Sequence, residues 1–148
     1  MTPVIRYAEV LLSYLECLIE SGQAIDQTVL NLTINQVRGR ADVKMPPVTE
    51  TNSDKLRELL RNERRVELAF EGIRYWDLLR WKLAETVLVG EVWGAPYPKS
   101  ITYAGSTKFV DPTGHCRWYV GRRDFRNPQD YKWPIPLSEQ NINPNLRE

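Results

Sequence analysis

The strongest pattern lies at the start of the chain. From Val4 to Ile19 every position is apolar, aromatic or cysteine except Arg6, Glu9, Ser13 and Glu16, and Glu20 closes the run. At ~100° per residue these polar positions fall within an arc of ~80°. An ordinary surface helix has the reverse proportion. The pattern predicts a helix from about Pro3 to Glu20, capped by Thr2, stopped at Gly22 and packed on several sides. Val29, Leu30, Ile34, Val37 and Ala41 recur at helical spacing and predict a second helix over Asp26–Arg40. A polar connection with Pro46 and Pro47 follows. A third helix begins near Ser53 or Asp54 and continues to about Val87, its apolar face marked by Leu56, Leu59, Leu60, Val66, Phe70, Ile73, Trp76 and Leu83. Gly72 falls inside this pattern, where it ends the helix, kinks it or permits close packing.

After Gly90 the helical period is lost. Seven of the ten prolines lie beyond residue 90, so this part reads as loops and short strands. Phe109–Val110 and Trp118–Val120 are expected strands around an Asp111–Gly114 turn. Trp133-Pro134-Ile135-Pro136 is extended, because proline fixes its own φ and restricts its predecessor. Ser138 is expected to cap a last short helix through Asn141. The expectation is a single domain over 1–148, helical through residue 89, then irregular with a β-hairpin and an extended tail.

Composition narrows the function classes. Charged residues make up 26% of the chain, and the net charge is +1, which gives no global claim on nucleic acid or an anionic membrane. One histidine and two cysteines, Cys17 and Cys116, fit no zinc pattern. No cofactor or metal is expected. No run approaches the ~18 apolar residues of a membrane span, and the N-terminus has no basic leader region.

The motifs then carry a resemblance. Glu63-Arg64-Arg65-Val66-Glu67-Leu68-Ala69-Phe70-Glu71-Gly72-Ile73-Arg74-Tyr75-Trp76-Asp77-Leu78-Leu79-Arg80-Trp81 closely resembles the signature of the SusD/RagB family. Ile5 to Leu12, Asn35 to Ala41, and Trp133 to Pro136 with Asn143 to Leu146 match in the expected order. The resemblance implies a mainly α fold of tetratricopeptide-like helical layers, here followed by a loop-rich region with short strands. It implies a non-catalytic binder of oligosaccharide or another nutrient at the outer membrane, delivering it to a TonB-dependent (SusC-like) transporter. The chain resembles only the family's C-terminal portion, which leaves a bare surface suited to a homodimer. A helical-repeat interaction module without its own ligand is the alternative.

Two groups of residues bear on chemistry. Glu63, Glu67 and Glu71 stand four residues apart. Paired carboxylates can hydrolyse glycosides, but like charges at this spacing repel and call for cations from other helices. Arg6, placed on the first helix's polar stripe, and Arg38 are the candidates, so the row reads as structural ion pairs. Trp76, Trp81 and Trp133 fall within the scaffold motifs and read as core or wedges between helices. Trp93, Tyr97, Tyr103, Trp118 and Tyr119 lie outside the motifs and are the candidates for a glycan platform. Arg117, Arg122, Arg123 and Arg126 form a basic cluster, read as a solvated face partly paired with Asp124 and Asp130.

Overall fold

A computed structural model describes residues 5–96, 109–110, 113 and 116–146. It comprises two compact units, Met1–Trp76 and Asp77–Glu148, with a boundary earlier than the expected change of character at residue 89. In the first unit, helix α1 spans Tyr7–Glu20. The expected start at Pro3 and cap at Thr2 lie outside the described residues. Arg6 precedes the helix with an extended backbone (φ −98°, ψ 150°), so it stands before the polar stripe rather than on it.

Burial is one-sided on α1. Ala8, Leu11, Leu12, Leu15, Glu16 and Ile19 are buried, whereas Tyr7, Val10 and Tyr14 are half or more exposed. The expectation of packing on several sides therefore fails in this chain: α1 meets its helical neighbours on one side. The predicted second helix is two. α2 (Gln27–Leu32) is capped by Asp26, whose carboxylate accepts from Val29 N at 2.9 Å. Thr33, at φ −124° and ψ −101°, breaks the helix, and α3 (Ile34–Arg38) follows. The loop after α3 is fixed by Asn35, whose side-chain amide bonds both Val48 N (2.7 Å) and Val48 O (3.0 Å). Val48 thereby joins the core at 8% exposure.

Helix α4 (Ser53–Glu67) starts at Ser53, as expected, and is capped by Asn52. It runs antiparallel to α1. Arg57 bonds Glu20, Arg64 bonds Ser13, and Arg6 meets Glu67 and Glu71, so the two sequences pair in opposite order. Leu12, Leu15, Leu30, Ile34, Leu56 and Leu60 form the centre of the core, none more than 1% exposed. The predicted third helix does not run on to Val87 but is interrupted at the turn that holds Gly72, one of the roles its place in the pattern allowed: α4 ends at Glu67, and Phe70 (φ 65°) and Gly72 (φ 78°) take left-handed conformations in the turn. Glycine does so without penalty, whereas a bulky residue pays ~1–2 kcal/mol. α5 (Ile73–Arg80) follows and runs across the division between the units.

In the second unit α6 (Ala84–Val87) leads into β1 (Gly90–Trp93), a strand absent from the sequence prediction. β2 (Phe109–Val110) pairs antiparallel with β3 (Cys116–Arg117), and β1 pairs antiparallel with β4 (Tyr119–Arg123). The Trp118–Val120 segment thus serves the pairing with β1, and the strand facing β2 is the one before it. The short helix α7 spans Leu137–Ile142, with Pro136 at its cap and Ser138 inside it.

Truncating Leu15 to alanine empties a fully buried site and is expected to cost ~2–5 kcal/mol, read from denaturant unfolding. Tyr14→Ala, next to it but on the exposed side, is expected to change stability by under ~0.5 kcal/mol.

Candidate functional site

The acidic row lies at the end of α4 and in the turn beyond it. Glu67, the last residue of α4, accepts from two arginines. Arg40 donates Nη1 to Oε1 at 2.6 Å and Nη2 to Oε2 at 3.0 Å, a two-pronged pairing. Arg6 Nη1 reaches Oε1 at 2.9 Å. The same guanidinium donates Nη2 to the Glu67 carbonyl at 2.6 Å and binds Glu71 through Nε (2.9 Å) and Nη2 (2.5 Å). The contact to the Glu67 carbonyl matters, because the last carbonyls of a helix have no partner within it. Arg6 therefore holds the end of α4 against the start of α1. The bonds to Glu71 foremost, and then those to Glu67, raise the Arg6 pKa above its ordinary value against partial burial. Arg38 Nη1 pairs with Glu63 at 2.5 Å, and its Nε donates to Pro46 O at 2.9 Å. The structure thus ties Arg6, Arg40, Glu67 and Glu71 into one lattice, with Arg38 and Glu63 a separate pair one turn back along α4, so that every carboxylate of the row is held by an arginine.

Two arginines were missed in the sequence, Arg40 in the lattice and Arg64 beside it on the buried face of α4. Arg40 lies within a family motif, yet nothing in its spacing marks it as the partner of Glu67. Arg64 was legible: it follows Leu56 and Leu60 at intervals of four, on the buried face of α4, and is 4% exposed. A cation in that row requires polar company, and Ser13 Oγ at 3.0 Å and Glu16 at 3.8 Å supply it.

Beside the lattice lies a cleft of about 410 Å³. Ala8, Leu11 and Val37 are its buried floor; Arg6, Gln36 and Arg40 stand at its edge. Arg40 Nε has no hydrogen-bond acceptor among the described residues and faces Asp42 Oδ1 at 3.7 Å.

The aromatic candidates belong to the second unit. Tyr97 and Tyr103 lie outside the described residues. Trp93 and Tyr119 are register partners on β1 and β4, their rings 5.4 Å apart at 69°, edge to face. A bulge beside them displaces Val120, which is 67% exposed. Trp118 and Tyr119 are 39% and 40% exposed, and Trp118 O accepts from Gly94 N at 2.8 Å. The ribbon thus gathers three of the five candidates at one end. Nearby, Arg122 pairs with Asp124 at 3.2 Å and Arg126 with Asp130 at 2.7 Å. The Arg126 side chain and backbone N–H hold the Asp130 carboxyl below its ordinary pKa. Trp76 and Trp133, expected in the core or between helices, are 53% and 73% exposed. Among the described residues no cluster of His, Cys, Asp and Glu is suited to a metal, and no helix is long and apolar enough to cross a membrane.

Comparison with known proteins places this architecture. The model of the SusD family matches residues 1–148, the whole chain. The chain belongs to the SusD family. A solved SusD-like carbohydrate binding protein from Bacteroides fragilis is 69% identical over 99% of this chain, with a TM-score of 0.91. A second SusD-like protein from that organism is 32% identical over 94% of the chain, with a TM-score of 0.65. SusD-like protein P38 of Formosa agariphila is 36% identical over 90 residues, 56% of this chain. The match covers 17% of P38, and the chain covers 28% and 24% of the two solved SusD-family chains.

A double-mutant cycle tests the lattice. Arg6→Met is expected to lose ~1.5–3 kcal/mol, the range of a hydrogen bond to a charged group. Glu67→Gln is expected to lose more, since it deprives two arginines at once. Thermal unfolding of both single variants and the double variant should show a combined loss smaller than the sum; additive losses would mean that the two side chains do not work together.

Proposed function

We infer that this chain is part of a SusD-family protein that binds oligosaccharide at the outer membrane and passes it to a TonB-dependent transporter. The observation that carries this reading is the 69% identity, over 99% of the chain, to a protein described as SusD-like and carbohydrate binding. The role is binding rather than catalysis. The acidic row supports this, because its carboxylates serve as anchors between helical segments and are occupied by Arg6, Arg38 and Arg40.

Within the chain the ribbon end is the surface we assign to sugar. Trp93, Trp118 and Tyr119 present aromatic area that is partly open to solvent. Apolar ring faces with a polar handle suit the alternating apolar faces and hydroxyl edges of a pyranose. The segment with Tyr97 and Tyr103 connects β1 to β2 in sequence.

A glycan array probed with the 148-residue protein, followed by calorimetry on each hit, tests the reading. Binding to at least one oligosaccharide is expected. Trp93→Ala and Tyr119→Ala should each weaken it about tenfold or more, roughly 1.4 kcal/mol, while Arg126→Gln should leave it unchanged. Loss of affinity on neither aromatic substitution would move the sugar site away from the ribbon.

A further inference from the structure

Tyr119 and Arg122 stand three residues apart on β4. In a regular strand an odd spacing puts two side chains on opposite faces. The bulge at Val120 changes this. Trp93 is the register partner of Tyr119, Val92 of Gly121 and Glu91 of Arg122, so Val120 is the extra residue. Register partners share a face, and so do Glu91 and Trp93, two residues apart on β1. The face that carries Trp93 and Tyr119 therefore also carries Glu91 and Arg122, about 6.6 Å further along the strands. Gly90, Val92, Gly121 and Arg123 take the other face.

Glu91 and Arg122 are both exposed. The Glu91 carboxylate has no hydrogen-bond or ion-pair partner among the described residues. Arg122 Nε meets Asp124 Oδ1 at 3.2 Å, with the two side chains 68% and 74% exposed. Such a pair contributes little, so the guanidinium turns to another acceptor at small cost. The aromatic face thus holds one cation, Arg122, and one anion, Glu91, with Asp124 just beyond the strand. An acidic sugar brought onto it meets a carboxylate of its own sign. A neutral sugar meets an acceptor and a donor side by side. The carboxylate accepts from two hydroxyls, and the guanidinium donates in a fixed fork, which complements adjacent hydroxyls on one sugar edge.

We propose that Glu91 and Arg122 read the hydroxyls of a neutral oligosaccharide whose ring rests on Trp93 and Tyr119, and that Glu91 disfavours acidic sugars there. The proposal rests on the assignment of the ribbon end to sugar and adds the polar half of that site. Arg123 does not alter the balance, because its register partner is Gly90, on the opposite face.

Calorimetry on a matched pair of sugars tests it. The tightest hit of the glycan array is compared with the oligosaccharide that differs only in whether one primary alcohol is oxidised to a carboxylic acid. The wild-type protein is expected to prefer the neutral member, with an affinity that changes less than about twofold between ~0.05 and ~0.5 M salt. Glu91→Gln and Arg122→Gln should each weaken the neutral sugar about tenfold, the order of one hydrogen bond to a charged group. Glu91→Gln should also narrow or reverse the preference, because the repelling charge is gone. A general loss of structure would weaken both sugars alike and leave their ratio fixed. A wild-type preference for the acidic member, an affinity that falls steeply with salt, a ratio unmoved in Glu91→Gln, or full affinity in either variant overturns the proposal. The aromatic assignment then still stands or falls on Trp93→Ala and Tyr119→Ala. Absence of binding to every oligosaccharide removes the ribbon reading and this proposal together.

Discussion

Glu67 is the junction of the helical unit. Its side chain and carbonyl collect Arg6 from the segment before α1 and Arg40 from the segment after α3. The position is electrostatically awkward: a carboxylate at a helix C-terminus opposes the helix dipole, and Glu63 and Glu71 stand close by along the chain. The arginines resolve both problems. They neutralise the row, and Arg6 occupies the terminal carbonyl that the helix leaves open. Three segments distant in sequence are thereby fixed at one point, and the small leucine-rich core between α1 and α4 is closed at that end.

The other end of the same helix pair is held more weakly. Arg57 bridges Glu20 and Asp54 at 2.7 Å each, but both acids are largely exposed, and such pairs contribute little. Between the two ends Arg64 is inserted into the leucine row with Ser13 and Glu16 for company. Taking such a group out of water is costly, so the pairing offsets its burial more than it adds stability. The contact joins the middle of α4 to the middle of α1 in their antiparallel alignment.

The second unit follows a different logic. It has no comparable leucine core; Leu78 and Ala84 are its buried apolar side chains among the described residues. Its order comes from a bulged ribbon, short-range ion pairs such as Arg126 with Asp130, and aromatic contacts such as Phe125 with Tyr131 at 4.8 Å. Aromatic side chains that a core would absorb remain at the surface. That is the physical basis for looking there, rather than at the acidic row, for contact with sugar.

Much of this was legible from sequence, and the failures have causes. The helical first half and the irregular second half followed from periodicity and from the placement of proline. The motifs around Glu63–Trp81 carried the family, and the family carried the fold. The need of the acidic row for outside cations followed from charge repulsion alone. What only the tertiary structure decided was which arginine meets which carboxylate, because that depends on a chain reversal that no local spacing encodes. It also decided where helices stop. Thr33 and the Phe70 turn break periodic patterns with no proline to mark the break, since the conformations there are set by what the flanking helices pack against. The pattern on α1 determined how much apolar surface must be covered. It was silent on how much of that surface this chain covers, because coverage is a property of the neighbours a helix finds and not of the helix itself.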